Sequence, residues 1–242
     1  MARRRFFVDG VHSGRAEIRG DDAHHLTRVL RVEAGQKYEI SDNGNVYLAE
    51  VEAARKDLVS FSIVAKLPAP KAAVRITVGA ALIKFDRFEW VVEKATEIGA
   101  ERIVPVAATR TEKGLFEASA KRRERWIRIA HEASQQARRA QLPKIDPAVK
   151  FNACLATQAD CRLFLEENAA PPLLDVLSAT RTAADHVAVL TGPEGGWTDA
   201  ERSQAASAGW QAVSLGPAIL RAETAAATAL GIVVAAWLTG RF

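Results

Sequence analysis

Only two cysteines occur in 242 residues, Cys154 and Cys161, seven apart, with no Cys-x-x-Cys and no histidine beside them. That spacing supplies neither a disulfide framework nor a zinc site, and it suits a reducing compartment. His24-His25 is no better a start for a metal centre. Adjacent side chains point apart and no further ligands accompany them, so no metal is expected. Long apolar runs are equally scarce. The longest, Ala225 to Leu238, is broken by Thr228 and Gly231 and falls short of the ~18–20 residues a membrane span needs; it predicts a buried helix. At the N-terminus, Met1-Ala2-Arg3-Arg4-Arg5 is followed by only Phe6-Phe7-Val8 before Asp9, too short for the apolar region of a signal peptide. These absences predict a soluble, cytoplasmic protein with no membrane partner. Gly-x-Gly-x-x-Gly and Walker A loops are missing too, which argues against a nicotinamide oxidoreductase or a nucleotide triphosphatase. There is no internal repeat and no low-complexity tail.

The composition is that of an ordinary globular protein, 48% hydrophobic and 26% charged. Thirty-three basic residues against 29 acidic ones give a net charge of +4. The excess is local. Lys121 to Arg139 holds seven basic residues and two acids, a surplus of five, so the remainder is about neutral. Such a patch permits a polyanionic partner without requiring one.

The first seventy residues predict short strands at Arg3–Val8, Lys37–Ser41, Val46–Glu52 and Leu58–Lys66. Asp42-Asn43-Gly44-Asn45 marks a hairpin, because Asn-Gly tolerates the positive φ of tight turns. Asp21–Arg31 predicts a short helix capped by Asp21 or Asp22, with Leu26, Val29 and Leu30 facing inward. Two prolines in Leu67-Pro68-Ala69-Pro70-Lys71 fix an extended linker, which divides the chain into domains of residues 1–70 and 71–242. From Val74 onward strands and helices alternate. Strands are expected at Val74–Gly79, Arg102–Val106, Arg162–Leu165, His186–Leu190 and Gln211–Leu215. Helices are expected at Phe85–Ile98, about Glu117–Arg139, Thr198–Ala208 and Ala222–Leu238. The alternation predicts an α/β domain with a mostly parallel sheet and helices on both faces, beside a small β-rich domain. In such sheets ligands collect at the carboxyl ends of the strands.

Two strand exits carry unusual chemistry. Leu190-Thr191-Gly192-Pro193-Glu194-Gly195-Gly196-Trp197-Thr198 places three glycines and a proline between a buried strand and a helix. Thr198 is the expected N-cap and Glu201 its capping-box partner. The segment is either a tight strand-to-helix turn or a place where a ligand lies against backbone N–H and C=O groups. The second exit is Leu215-Gly216-Pro217-Ala218-Ile219-Leu220-Arg221-Ala222-Glu223-Thr224. A buried helix that opens with Arg221 and Glu223 has to pair them or use them, since desolvating either costs several kcal/mol.

Taken together, Gly-Pro-Glu-Gly-Gly and the later Leu-Gly-x-x-Ile-Leu-Arg-x-Glu-Thr-Ala resemble the C-terminal signature of SPOUT methyltransferases, of the RsmE type that methylates N3 of a uridine in small-subunit (16S) ribosomal RNA. The likeness covers nearly the whole chain. Arg5-Phe6-Phe7 and His25-Leu26-Thr27-Arg28-Val29-Leu30-Arg31 match the family's N-terminal domain, and Lys94-Ala95-Thr96-Glu97-Ile98-Gly99, Ile103-Val104-Pro105 and Glu132-Ala133-Ser134-Gln135-Gln136-Ala137-Arg138 its middle. It departs at Ala218, where the family commonly has a basic residue; Trp197 and Thr198 are mild variants.

The resemblance implies a PUA-like RNA-binding N-terminal domain, a C-terminal α/β domain closed by a deep trefoil knot, and a homodimer with the active site at the interface. It implies S-adenosylmethionine as cofactor, bound by Leu190, Thr191, Gly192, Pro193, Glu194, Gly195, Leu215, Gly216, Leu220 and Thr224, with Leu165 and Glu166 at another strand exit. The partner implied is 16S ribosomal RNA or the small ribosomal subunit, held by Arg3, Arg4, Arg5, Arg28, Arg31, Lys121, Arg125 and Arg128. The last three share a helical face, which is otherwise a solvated surface with Glu124–Arg128 pairing. Uracil N3 must lose its proton to become a nucleophile. Glu223 is the candidate base or base-orienter, and Arg221 the cation that stabilises the anion, unless Arg138 of a second subunit supplies it. Ribose 2′-O methylation is the near rival, although Gly79-Ala80-Ala81-Leu82-Ile83-Lys84 lacks the early Asn of those enzymes. A non-catalytic RNA-binding or ribosome-assembly factor is the rival from another class.

Overall fold

The computed structural model describes residues 5–238, so Arg3 and Arg4 of the expected RNA-binding set lie outside the described residues. The chain divides into two compact units. One comprises the residues up to Lys71 together with Ser134–Leu142, the other Ala72–Ala133 and the residues from Pro143 onward.

The first unit is built from β1 (Arg5–Phe7), β2 (Arg15–Arg19), α1 (Gly20–Arg28), β3 (Lys37–Ser41), β4 (Val46–Arg55) and β5 (Leu58–Leu67). Its five strands lie in the order β1-β3-β4-β5-β2, antiparallel except where β1 runs parallel to β3. Strict alternation along β2 sends Ala16 and Ile18 inward to meet Phe6, Leu26, Ile40, Val59 and Phe61. The Asn-Gly hairpin forms as the sequence suggests. Asn43 takes φ 66°, and the Asp42 carboxylate accepts hydrogen bonds from Asn45 N at 2.7 Å and Gly44 N at 3.2 Å. Helix α1 departs from expectation. Gly20, at φ 66°, turns the chain directly out of β2 into the helix, so Asp21 and Asp22 fall within the first turn instead of capping it. The helix also stops at Arg28, and Val29, expected inside, is 64% exposed.

The second unit follows as β6 (Arg75–Ala81), α2 (Phe85–Ile98), β7 (Arg102–Ala107), α3 (Leu115–Gln136), β8 (Lys144–Ile145), β9 (Val149–Lys150), α4 (Phe151–Leu155), β10 (Cys161–Leu165), α5 (Leu173–Val176), β11 (His186–Thr191), α6 (Asp199–Ser207), β12 (Gln211–Val213) and α7 (Ala222–Leu238). The part of α3 from Ser134 onward groups with the first unit. The sheet runs β12-β10-β11-β6-β7-β8, parallel throughout, with β9 also pairing β7. Successive side chains on the central strands feed two cores. Val78 and Ala80 pack with Phe88, Trp126 and Leu230 on one face; Ala81 and Leu190 pack with Phe151, Trp197 and Trp210 on the other. Gly79 has to be glycine, because a Cβ there would sit 2.8 Å from Cys154 Sγ and 2.9 Å from Leu190 Cδ1. Helix α3 ends at Gln136 instead of reaching Arg139; Arg138, at φ 55°, turns the chain away from the helical path.

The start of α6 links two loops. Thr198 Oγ1 accepts from Glu201 N, while Glu201 Oε2 accepts from Thr198 N at 2.9 Å, a reciprocal capping box. Glu201 Oε1 also accepts from Thr109 N at 2.7 Å, joining the exit of β7 to the helix. Burial pushes the Glu201 carboxyl up, but the Thr109 and Thr198 donors outweigh it and hold its pKa below 4.5. A carboxyl depressed on folding contributes stability above its unfolded pKa and loses it as pH falls through the folded one. Glu201→Gln is therefore expected to lower unfolding free energy by about 1.5–3 kcal/mol at neutral pH. Urea denaturation at a series of pH values should show the gap to the wild-type protein closing as pH drops below 4.5.

Candidate active site

Strands β12, β10 and β11 are neighbours running in one direction, so their carboxyl ends open on one side. The segments leaving them enclose a cleft of about 430 Å³, within the usual size of a small-molecule site. Of the residues assigned from sequence, Leu165, Glu166, Gly192, Pro193, Glu194, Leu215, Gly216, Leu220 and Arg221 line it. Leu190 and Thr191 do not; they are buried, Leu190 in the core against Gly79. Gly195 turns its carbonyl to Arg110 Nη1 at 2.6 Å, and Thr224 is exposed on α7. Arg87, Glu167, Ala218 and Ile219 line the cleft without having been assigned from the sequence.

Trp197 organises the walls. Its indole is fully buried, stacks on Phe164 with centroids 4.7 Å apart, and donates from Nε1 to the Leu165 carbonyl at 2.9 Å. One side chain thereby holds the exit of β10 to the glycine-rich loop after β11. Gly192 lies against the same ring, where a Cβ would approach Cε2 and Nε1 to 3.1 Å. On the opposite wall Gly216 sits at φ 131° with open space where a side chain would start, so its backbone faces the cleft bare.

The charges divide by how they are partnered. The Glu166 carboxylate receives Arg202 Nε at 2.7 Å and Nη2 at 3.1 Å, plus the backbone N–H groups of Glu167 and Asn168. Burial pushes its pKa up, but these donors more than offset it and hold the carboxyl below the usual range. Its acceptor capacity is spent shaping its own loop. Glu223 is the reverse case. Its Oε1 stands 4.0 Å from Arg87 Nε, and its Oε2 is buried with no hydrogen-bond partner among the described residues. The cation facing Glu223 is thus Arg87 from α2, and no Arg221–Glu223 ion pair forms among the described residues; Arg221 is exposed on the cleft rim. Burial pushes the Cys154 thiol up to about 11, which leaves little thiolate at neutral pH.

The basic residues expected to hold RNA separate as well. Arg28 and Arg31 of the first unit are exposed, as are Lys121 and Arg128 of the second. Arg5 is a correction. It is 4% exposed and pairs with Glu39 at 2.8 Å while donating to the Arg138 carbonyl, so it is a buried structural cation and not a phosphate ligand. Arg125 is tied to Glu89 at 2.7 Å, and Arg138 to Glu39 at 3.2 Å. Among the described residues no three His, Cys, Asp or Glu side chains gather as a metal-binding group, and no helix is long and apolar enough to cross a membrane.

A parallel sheet with a glycine-walled cleft at its carboxyl edge, joined to a small β unit, defines a class, and comparison supplies its name. Residues 70–234 match the RNA methyltransferase domain and residues 18–64 the RNA methyltransferase PUA domain; the chain belongs to this RNA methyltransferase family. It is 30% identical over 230 residues to ribosomal RNA small subunit methyltransferase E of Bacillus subtilis, covering 89% of this chain and 88% of that one. To the protein of the same name from Synechocystis it is 34% identical over 225 residues, 86% and 68% of the two chains. The crystal structure of ribosomal RNA small subunit methyltransferase E from Neisseria gonorrhoeae, bound to S-adenosyl methionine, superposes with a TM-score of 0.85 at 28% identity, covering 98% of each chain.

Because Trp197 is held rigidly, Gly192→Ala has no cheap relief for its added methyl. Urea titration should show a loss of about 1–3 kcal/mol in stability. A change within 0.5 kcal/mol, on the order of an ordinary surface substitution, would mean that the ring gives way and does not set the loop.

Proposed function

We propose that this protein transfers a methyl group from S-adenosylmethionine to N3 of one uridine in 16S ribosomal RNA. The relatives' names and the cofactor in the Neisseria structure support the reaction and substrate class. The observation that carries the chemistry is Glu223 Oε2, a buried carboxylate oxygen with no partner among the described residues, on the turn that opens α7 beside the cleft. An acceptor of this kind is costly to keep unsatisfied and is retained where something arrives to use it.

The cleft suits the cofactor. Leu165, Leu215, Leu220 and Trp197 offer apolar walls, and Gly192 and Gly216 expose backbone, the mix of apolar surface and bare peptide groups that small-molecule sites present. S-adenosylmethionine supplies an electrophilic methyl on a sulfonium, so what the protein adds is orientation and proton removal. Glu223 Oε2 takes the N3 proton. Arg221, exposed at the rim and with no ion partner among the described residues, stabilises the negative charge that spreads onto the uracil carbonyl oxygens. Arg138 of a second copy is the alternative cation, and its use requires release from Glu39.

The wider reading includes a cytoplasmic homodimer with the site at its interface, RNA held by the residue 1–70 domain through Arg28 and Arg31 and by residues 71–242 through Lys121 and Arg128, and a trefoil knot tied by the chain beyond β12. The small, apolar side chains along α7 suit packing against a second copy.

Primer extension on 16S ribosomal RNA tests the substrate, because methylation at N3 blocks Watson–Crick pairing and stops reverse transcription. A deletion strain should lose one stop, and the wild-type gene should restore it; an unchanged stop pattern rejects the reading. With purified protein, Glu223→Gln should cut turnover by about 10²–10⁴-fold while calorimetry shows S-adenosylmethionine binding within a few-fold of wild type. Retained turnover would remove Glu223 from the role of base.

A further inference from the structure

The cation that serves Glu223 does not come from the Arg-x-Glu segment itself. It comes from Arg87, the third residue of α2, an element far away in the sequence. Its Nη1 donates to Glu194 Oε1 on the glycine-rich loop after β11, and its Nε faces Glu223 Oε1 at 4.0 Å on the first turn of α7. One guanidinium therefore spans two carboxylates carried by two separate strand exits. Only about a third of the Arg87 side chain is exposed, and it forms part of the cleft lining.

We propose that Arg87 is the positioning residue of the active site, holding Glu223 by one carboxylate oxygen so that the other stays free to receive the substrate proton. This rests on the reading of Glu223 as the proton acceptor. The physical case has three parts. A carboxylate in the first turn of a helix rotates about its side-chain bonds unless one oxygen is constrained, and a planar guanidinium with several donors in a rigid fork is suited to constraining it while holding a second group. The other Glu223 oxygen has no partner among the described residues, so the Arg87 ion pair, 4.0 Å from Oε1, engages one acceptor and leaves the second vacant. The second carboxylate that Arg87 holds belongs to Glu194, which itself lines the cleft, so the proton acceptor and the glycine-rich wall are held in register by one group. A misplacement of about 1 Å at a reacting centre can cost on the order of 10²-fold in rate, which sets the size of the expected effect.

The test uses the full-length protein and small-subunit RNA in single-turnover methylation, alongside calorimetry with S-adenosylmethionine and thermal unfolding. Arg87→Ala should lower kcat by about 10²-fold, with cofactor Kd and melting temperature close to wild type. Guanidinium ion added to the assay should restore a substantial part of the Arg87→Ala rate and do nothing for Glu223→Gln, since a small cation can refill the missing fork but cannot replace the acceptor. Arg87→Lys should keep more activity than Arg87→Ala while failing to match wild type, because an ammonium cannot hold both carboxylates in one plane. A variant with kcat within threefold of wild type overturns the proposal, as does a loss confined to cofactor affinity or one that guanidinium leaves untouched in a folded protein. If wild-type protein methylates the RNA and Arg87→Ala does too, only this inference falls. If Glu223→Gln stays active, the underlying assignment falls with it.

Discussion

The buried indole of Trp197 is the contact on which the cleft depends. It ties the carbonyl of Leu165 at the end of β10 to the glycine-rich loop that leaves β11, and it does so from inside the core, stacked on Phe164 and packed against Phe151. A loop with three glycines has a large conformational entropy to lose, so some rigid group has to bear against it. Trp197 supplies that support, and Gly192 is small because the ring occupies the space a side chain would need. Gly192 is thus partly structural, set by the fit to a tryptophan five residues on, and it also leaves backbone bare along the cleft.

Three enclosed acidic residues of the second unit show how the same side chain acquires different work from its partners. Glu166 and Glu201 are saturated with donors and fix loops. Glu223 keeps one buried oxygen without a partner among the described residues. Burial alone does not distinguish them, since all three are substantially enclosed. The distinction lies in whether the donors equal the acceptors, because a satisfied carboxylate gains nothing from a proton or a ligand, whereas an unsatisfied one does.

Much of this was legible in the sequence. The strand–helix alternation beyond Val74, the capping box at Thr198 and Glu201, the Asn-Gly hairpin and the span of α7 follow from periodicity and turn chemistry, which are local properties. The two strand exits that meet in the cleft were also visible, since their glycines and charges break an otherwise apolar pattern. What escaped detection depends on long-range pairing. Helices α4 and α5, of five and four residues, are too short to show a period. Arg5 looked like a free surface cation until Glu39, on the parallel neighbour of its own strand, was placed beside it. Arg87 sits at a third strand exit, in Lys84-Phe85-Asp86-Arg87, where charges at the start of a helix are ordinary; only the crossover that sets β6 beside β11 gives it meaning. The grouping of Ser134–Leu142 with the first unit likewise carries no compositional mark.

Arg87 and Arg221 differ in the way their proposed tasks require. Arg87 is on a regular helix whose Phe88 and Val92 are locked in the core, so its backbone is fixed and its side chain is already spent on two carboxylates. Arg221 stands outside α7, on the irregular segment after Gly216, exposed and with no ion partner among the described residues. A cation that positions a base gains from being immobile, since any freedom it keeps is passed on to the group it holds. A cation that stabilises charge on an incoming base must be able to move toward it, and it would lose strength if it were already neutralised. On the proposed roles, exchanging the two would weaken both: a tethered Arg221 could not follow the substrate, and a loose Arg87 would let Glu223 turn its oxygen away from the proton it is proposed to take.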